Sequence, residues 1–198
     1  NTPAKNKNLG FWNDYENASL DLNCADNGHS WECKPGSSTT IGSLFATDIN
    51  GKKLVYDVAQ FHIHAPAEHT ISGQDHYDAE LHIVHQIRSG YDGYENTLAV
   101  VGIFYKVGAE NAYLKQLGVG GSSSTTNPSF NFGAFISYLW STEKNSYGYM
   151  GSLTTPECSE IVNWFVFTEP LTLSQAQLDY FKNMFHSNGN NRPVQALN

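Results

Sequence analysis

The sequence predicts a mainly β fold of the α+β kind, a single domain over residues 1–198 built around a central, twisted, largely antiparallel sheet with short peripheral helices. Three observations predict it. Short runs rich in β-branched and aromatic residues recur along the chain, separated by Gly, Asn, Asp and Ser. In the longer runs apolar and polar residues alternate, which is the period of a strand with one buried face. No βαβ rhythm, heptad or fixed-period repeat is present, so a doubly wound sheet, a coiled coil and a solenoid are disfavoured.

Taken in order, the first eighteen residues are polar and aperiodic and are expected to lie as an extended arm on the surface. Strands are expected at residues 19–23, 29–33, 53–64, 79–86, 98–107 and 161–167. A short helix is expected over 109–117, ended by Gly118. Residues 118–131, rich in Gly, Ser and Thr and containing Asn127-Pro128, read as a surface loop inside the domain. The strongest helix follows Ser174, because Ser174 and Gln177 form a capping-box pattern and Leu178, Phe181 and Phe185 repeat at helical spacing until Gly189.

The formal charge of -8 is not offset by any basic block, since Lys5 with Lys7 and Lys52 with Lys53 are the only local pairings. Nucleic acid is therefore not an expected partner. No apolar run approaches the roughly 20 residues that span a bilayer, and the polar start at Asn1 is unlike a signal peptide. Three cysteines, Cys24, Cys33 and Cys158, leave one without a partner whichever pair forms. Cys24 and Cys33 flank the turn-like Asn27-Gly28 and could face each other across a hairpin in an oxidising compartment. Asn17-Ala18-Ser19 is a glycosylation acceptor pattern, which moves the expected location toward secretion, the extracellular space or an organelle lumen.

The histidines carry the chemistry. In Gln60-Phe61-His62-Ile63-His64 the alternation puts Gln60, His62 and His64 on one face of a strand and Phe61 and Ile63 on the other. Two imidazoles about 6.6 Å apart, at roughly 3.3 Å of rise per residue, can reach one ion with bonds of about 2.0 to 2.1 Å. Glu80-Leu81-His82-Ile83-Val84-His85 groups Glu80, His82 and Val84 on one face, with Leu81, Ile83 and His85 on the reverse. A neighbouring antiparallel strand would deliver His82 as a third ligand. Three neutral nitrogens leave one tetrahedral position open for water, the arrangement of a catalytic zinc site. Gln60 and Glu80, each two residues before a ligand, are placed to accept the other ring N–H and fix the tautomer.

Those two blocks, with Ala67-Glu68-His69 between them, resemble the signature of the alpha-carbonic anhydrase family. Asn27-Gly28-His29, the run from Leu98 to Phe104, Gly151-Ser152-Leu153-Thr154-Thr155-Pro156 leading to Trp164, and Asn190-Asn191-Arg192-Pro193 agree with it in order. The resemblance runs from about residue 20 to the end. It implies the family's fold and the reversible hydration of carbon dioxide to bicarbonate and a proton by a zinc-bound hydroxide.

By that resemblance His62, His64 and His82 hold Zn2+, with His82 using the ring nitrogen opposite to that of the other two, and Gln60, Glu80 and the main-chain carbonyl of Asn190 are their partners. Thr154 is implied to accept a hydrogen bond from the hydroxide while donating to Glu68, a task that needs a hydroxyl because it donates and accepts at once. Val84, Val100, Leu153 and Trp164 are implied to form the apolar wall for carbon dioxide, and His29 to be the proton shuttle, with an imidazole suited to relaying protons near neutral pH. His69, implied to be buried and structural, is not assigned to the metal, nor are His76, His85 and His186.

The resemblance also implies a stretch before this chain's start, with a Gln-Ser-Pro-type motif, so a missing N-terminal segment or a partner polypeptide is expected to complete the molecule. Cys158 matches a cysteine that in secreted relatives bonds to that stretch. Glu157 stands where a proline is common, and Trp31 and Glu32 fall at rim positions that vary. The rival reading is a non-catalytic binding, matrix or assembly protein of the same fold that retains zinc; retention of all three ligands with Glu68 and Thr154 favours the enzyme. No His-Glu-x-x-His pattern of a metalloprotease is present.

Overall fold

The computed structural model describes residues 12–15, 19–36, 41–47, 51–71, 73, 75–91, 94, 97–121, 129–142, 145–185 and 189–196. In chain order the strands are β1 (Trp12–Tyr15), β2 (Ser19–Asp26), β3 (Trp31–Pro35), β4 (Gly42–Thr47), β5 (Lys53–His64), β6 (Ala79–Ile87), β7 (Leu98–Val107), β8 (Ser129–Asn131), β9 (Ser146–Gly151), β10 (Val162–Phe167) and β11 (Leu171–Leu173). The helices are α1 (Ala112–Gln116), α2 (Phe132–Thr142) and α3 (Gln175–Met184).

The strands join in one mixed sheet in the order β8-β2-β3-β5-β6-β7-β10-β9, with β4 also on β5, β1 on β4 and β11 on β7. Among the described residues only β7 with β10 and β7 with β11 pair in parallel; every other pairing is antiparallel. The long alternating runs occupy the middle. β6 and β7 are buried for most of their length because both of their faces are covered.

Directly paired residues share a face, so the register turns strand parity into two rows across the sheet. One row runs Glu32, His62, His82, Gly102, Val166 and the other Gln60, Val84, Val100, Trp164, Tyr149. The opposite face carries Phe61, Ile63, Leu81, Ile83, Val101 and Ile103, which pack with Leu114 of α1, Phe135 and Leu139 of α2, and Leu178 and Phe181 of α3 in the main core. The helices thus cover one face and leave the histidine face to a smaller cluster.

A register shift in β5 between Val58 and Gln60 leaves Ala59 as an extra residue opposite β6. This bulge switches parity: Tyr56 and Val58 join the main core with Phe61 and Ile63, while Gln60, His62 and His64 point the other way. Strict alternation through residues 53–64 does not hold at that point.

Several expectations are corrected by pairing partners that lie far away in sequence. Trp12–Tyr15 is a strand on β4 and not an arm. Ser129–Asn131, at the end of the expected loop, pairs with β2, and α2 follows it directly, with Asn131 Oδ1 accepting from Ala134 N at 2.7 Å. β4, β9 and β11 were not expected from the sequence. α3 begins as expected, with Ser174 Oγ accepting from Gln177 N and Gln177 Oε1 accepting from Ser174 N, but it ends at Met184. Cys24 and Cys33 stand opposite each other in β2 and β3 and form a disulfide, leaving Cys158 as the free cysteine. Asn17 and Ala18 of the glycosylation pattern, and His186, lie outside the described residues.

His85 points away from the triad face and its Nδ1 donates to the Ala99 carbonyl at 3.1 Å. Burial pushes it down to about 4, against the smaller opposing pull of its hydrogen bonds to the backbone. Between that value and about 6.5 the unfolded chain binds a proton that the folded chain does not, so stability falls as the pH drops through this window. The full cost is about 3 kcal/mol. Urea unfolding of metal-free protein from pH 7 to 4 is expected to show this loss on top of those from His62 and His64, which burial also lowers, and His85→Gln to make the slope shallower without removing it; an unchanged slope in the variant would place the acid sensitivity elsewhere.

Candidate metal centre

β5 and β6 bring three imidazoles to one point. His62 and His82 are directly paired across the strands, and His64 is one pleat repeat further along β5. Ring centroids are separated by 5.0 Å for His62 and His64, 5.2 Å for His62 and His82, and 4.8 Å for His64 and His82. One nitrogen from each ring lies within 4.8 Å of the others.

Hydrogen-bond partners decide which nitrogens those are. His62 Nδ1 donates to Gln60 Oε1 at 2.8 Å, and His64 Nδ1 donates to the Asn190 carbonyl at 3.1 Å. His82 does the reverse, donating from Nε2 to Glu80 Oε1 at 3.0 Å. The lone pairs left over are therefore Nε2 of His62, Nε2 of His64 and Nδ1 of His82. His64 Nε2 is buried without a hydrogen-bond partner. A buried, unpartnered acceptor beside two further imidazole lone pairs fits a borderline-soft cation such as Zn2+.

Electrostatics keep two of the rings neutral. Burial, followed by the neighbouring His82 and His64, holds His62 well below the usual imidazole range, against the pull of Glu80. Burial and His82 bring His64 down to about 4, although Glu68, the Asn190 carbonyl and Glu80 pull the other way. Neutral imidazole is the form that ligates a metal.

Glu80 is the hub behind the triad. It is fully buried and accepts from the backbone N–H of Glu68 and of His69, both at 2.9 Å, from His69 Nδ1 at 2.6 Å and from His82 Nε2. Burial would raise its carboxyl, but His69 and His82, by charge and by hydrogen bond, outweigh this and hold it well below the carboxylate range. Burial would likewise lower His69, yet Glu80 lifts it on balance. His69, Glu80 and His82 also lie within 4.8 Å of one another. Their facing nitrogens are committed to the Glu80 carboxylate, so this trio is a hydrogen-bonded chain. A Cβ on Gly102, which pairs with His82, would fall 2.7 Å from Glu80 Oε1, so a larger residue there would displace the hub.

The C-terminal segment closes the site. The Asn190 side chain accepts from Ala65 N and donates to the carbonyls of His29 and Ile63, while Glu68 Oε1 accepts from Arg192 N at 2.7 Å. Glu68 Oε2 lies 3.4 Å from His64 Nε2 and 3.8 Å from His82 Nδ1 and has no hydrogen-bond partner. Among the described residues Thr154 makes no hydrogen bond to this oxygen, which is left without a partner.

Val84, Val100 and Trp164 belong to one buried cluster, and Leu153 packs against it. The Trp164 ring centre is 4.8 Å from both His82 and His69, so this wall adjoins the triad. His29 is exposed, in the turn between β2 and β3, and its backbone is linked to His64 through Asn190, whose side-chain amide donates to the His29 carbonyl and whose own carbonyl accepts from His64 Nδ1. Tyr149, whose hydroxyl is hydrogen-bonded to His69 Nε2 at 2.5 Å and whose ring stacks on Trp164, was not singled out from the sequence. Nor was Arg192, whose contribution through a backbone N–H carries no side-chain signal.

The model of the eukaryotic-type carbonic anhydrase family matches residues 2–198. The chain belongs to that family. It is 36% identical over 174 residues to a carbonic anhydrase of Klebsiella pneumoniae, covering 87% of this chain and 65% of the relative. To a carbonic anhydrase of Nostoc sp. it is 38% identical over 145 residues, covering 72% of this chain and 52% of the relative. The chain thus spans less than two thirds of the length of both carbonic anhydrases. The alpha-carbonic anhydrase of Thermovibrio ammonificans, solved with the inhibitor sulfanilamide, superposes with a TM-score of 0.71 at 33% identity, covering 95% of this chain and 76% of that one.

Proposed function

We propose that this chain catalyses the reversible hydration of carbon dioxide to bicarbonate and a proton, with Zn2+ held by His62, His64 and His82. One observation carries the reading: three imidazoles turn their free lone pairs to one point beside an apolar wall. Zinc, when bound, supplies a Lewis acid that makes hydroxide available at neutral pH, chemistry for which carbonic anhydrase is itself the standard example.

The protein's own residues do the rest. Gln60, Glu80 and the Asn190 carbonyl fix the tautomers and aim the rings. Val84, Val100, Leu153 and Trp164 give carbon dioxide, which is small and apolar, a surface from which water is excluded. Thr154 is assigned a hydroxyl that accepts a hydrogen bond from the attacking oxygen and donates one to Glu68, whose Oε2 has no other hydrogen-bond partner and is the acceptor left for it. We read residues 1–198 as one domain, and the Cys24–Cys33 disulfide favours an oxidising location, secreted or in an organelle lumen. No described helix is long and apolar enough to cross a membrane.

His29 is assigned the export of the proton through water to buffer. Attack on carbon dioxide does not need that step, whereas regenerating the nucleophile does. His29→Ala is expected to lower kcat in weak buffer while leaving kcat/KM nearly unchanged, with added imidazole restoring much of the loss. Normal turnover in dilute buffer would make His29 a bystander, and a collapse of kcat/KM would make its role structural. The proposal as a whole is tested by stopped-flow hydration: zinc-loaded protein is expected to hydrate carbon dioxide and chelator-stripped protein not to. A zinc-loaded chain without activity would favour a binding or matrix role.

A further inference from the structure

β3 places a charge pair on the triad face that the proposed reaction does not use. Glu32 is directly paired with His62, which is directly paired with His82, so the three side chains form one row across β3, β5 and β6. The parity of β3 is fixed by Trp31 and Cys33, which are 3% and 0% exposed in the main core on the other face. Directly opposed residues of an antiparallel pair have Cβ atoms roughly 5 Å apart. Glu32 thus stands beside a candidate ligand.

Lys34, two residues on and on the same face, binds it, with Nζ 2.7 Å from Glu32 Oε1. The pair is asymmetric: the Glu32 side chain is 14% exposed and that of Lys34 is 60% exposed. The carboxylate sits inward and the ammonium outward. A ligand at the triad therefore meets the negative end of the pair first.

Resting on the function proposed above, we propose that Glu32 is a specificity-determining residue that selects against anions at the triad, with Lys34 setting how strongly. A neutral, apolar substrate is indifferent to this charge. Bicarbonate and competing monovalent anions are repelled by it, so product leaves more readily, and a cation at the triad is held more firmly. The wall of Val84, Val100 and Trp164 lies on the other side of His82, so the two halves of the site divide the work between attraction of the gas and rejection of the anion.

The test uses charge-neutralising variants of nearly constant shape. Thiocyanate is titrated into cobalt-loaded protein by visible absorption, and zinc affinity is measured separately by competition with a chelator. Glu32→Gln is expected to bind thiocyanate about five- to tenfold tighter and zinc about five- to tenfold more weakly, the effect of one charge at this range in a partly screened site. Lys34→Gln is expected to move both constants the opposite way. A role confined to holding β3 in place would shift both variants in the same direction. Movement in the same direction, or less than a twofold change of the thiocyanate constant in both, overturns the inference. Failure of the wild-type chain to take metal at the triad would instead overturn the function on which it rests.

Discussion

His62→Ala is expected to lower zinc affinity by about a thousandfold and to abolish carbon dioxide hydration at limiting zinc. A site of three nitrogens that loses one forfeits roughly a third of a binding free energy of about 10 kcal/mol or more. His62 Nδ1 is engaged with Gln60, and the ring meets both His64 and His82 at centroid distances of 5.0 and 5.2 Å, so no other described imidazole stands ready to replace it. His69 and His85 are held by Glu80 and by the Ala99 carbonyl. Chelator competition and stopped flow read the two effects. Full activity of the variant at one equivalent of zinc would remove His62 from the metal.

Glu80→Ala is expected to cost about 3 to 5 kcal/mol of stability in the metal-free protein and to weaken zinc binding a further 10- to 100-fold. The carboxylate satisfies two backbone N–H groups and two imidazole N–H groups in a fully buried position. Its removal leaves four donors without an acceptor where water does not readily reach. Glu80→Gln, which keeps the shape and one acceptor oxygen, is expected to lie between the two. Urea unfolding and chelator competition measure these effects; a Glu80→Ala variant of wild-type stability would show that the hub is not load-sharing in the fold.

The ligand strands were legible because a site that needs two imidazoles on one face forces the spacing of His62 and His64, and the apolar residues between them must face a core. The bulge at Ala59 was not, since nothing in Val58-Ala59-Gln60 differs chemically from an unbroken strand. β9 was hidden by Gly148 and Gly151, and its strand conformation comes from pairing with β10. α2 carried a readable pattern in Phe132, Phe135, Ile136 and Leu139, masked by the Ser- and Gly-rich run before it. In the site, residues that act through side chains of distinctive chemistry could be read. Contributions through the backbone, such as Arg192 N to Glu68 and the Asn190 carbonyl to His64, depend on the path of the chain; the first had no signal in the sequence, and the second came only through family resemblance.

The central claim is that one zinc ion, held by the three histidines, makes this chain a catalyst of carbon dioxide hydration. Its most direct test is a stoichiometric titration of chelator-stripped protein with Zn2+, following the initial hydration rate by stopped flow. The rate is expected to rise linearly and to stop rising at one equivalent. No rate above background at one equivalent, or a rate that climbs well beyond it, would contradict the account.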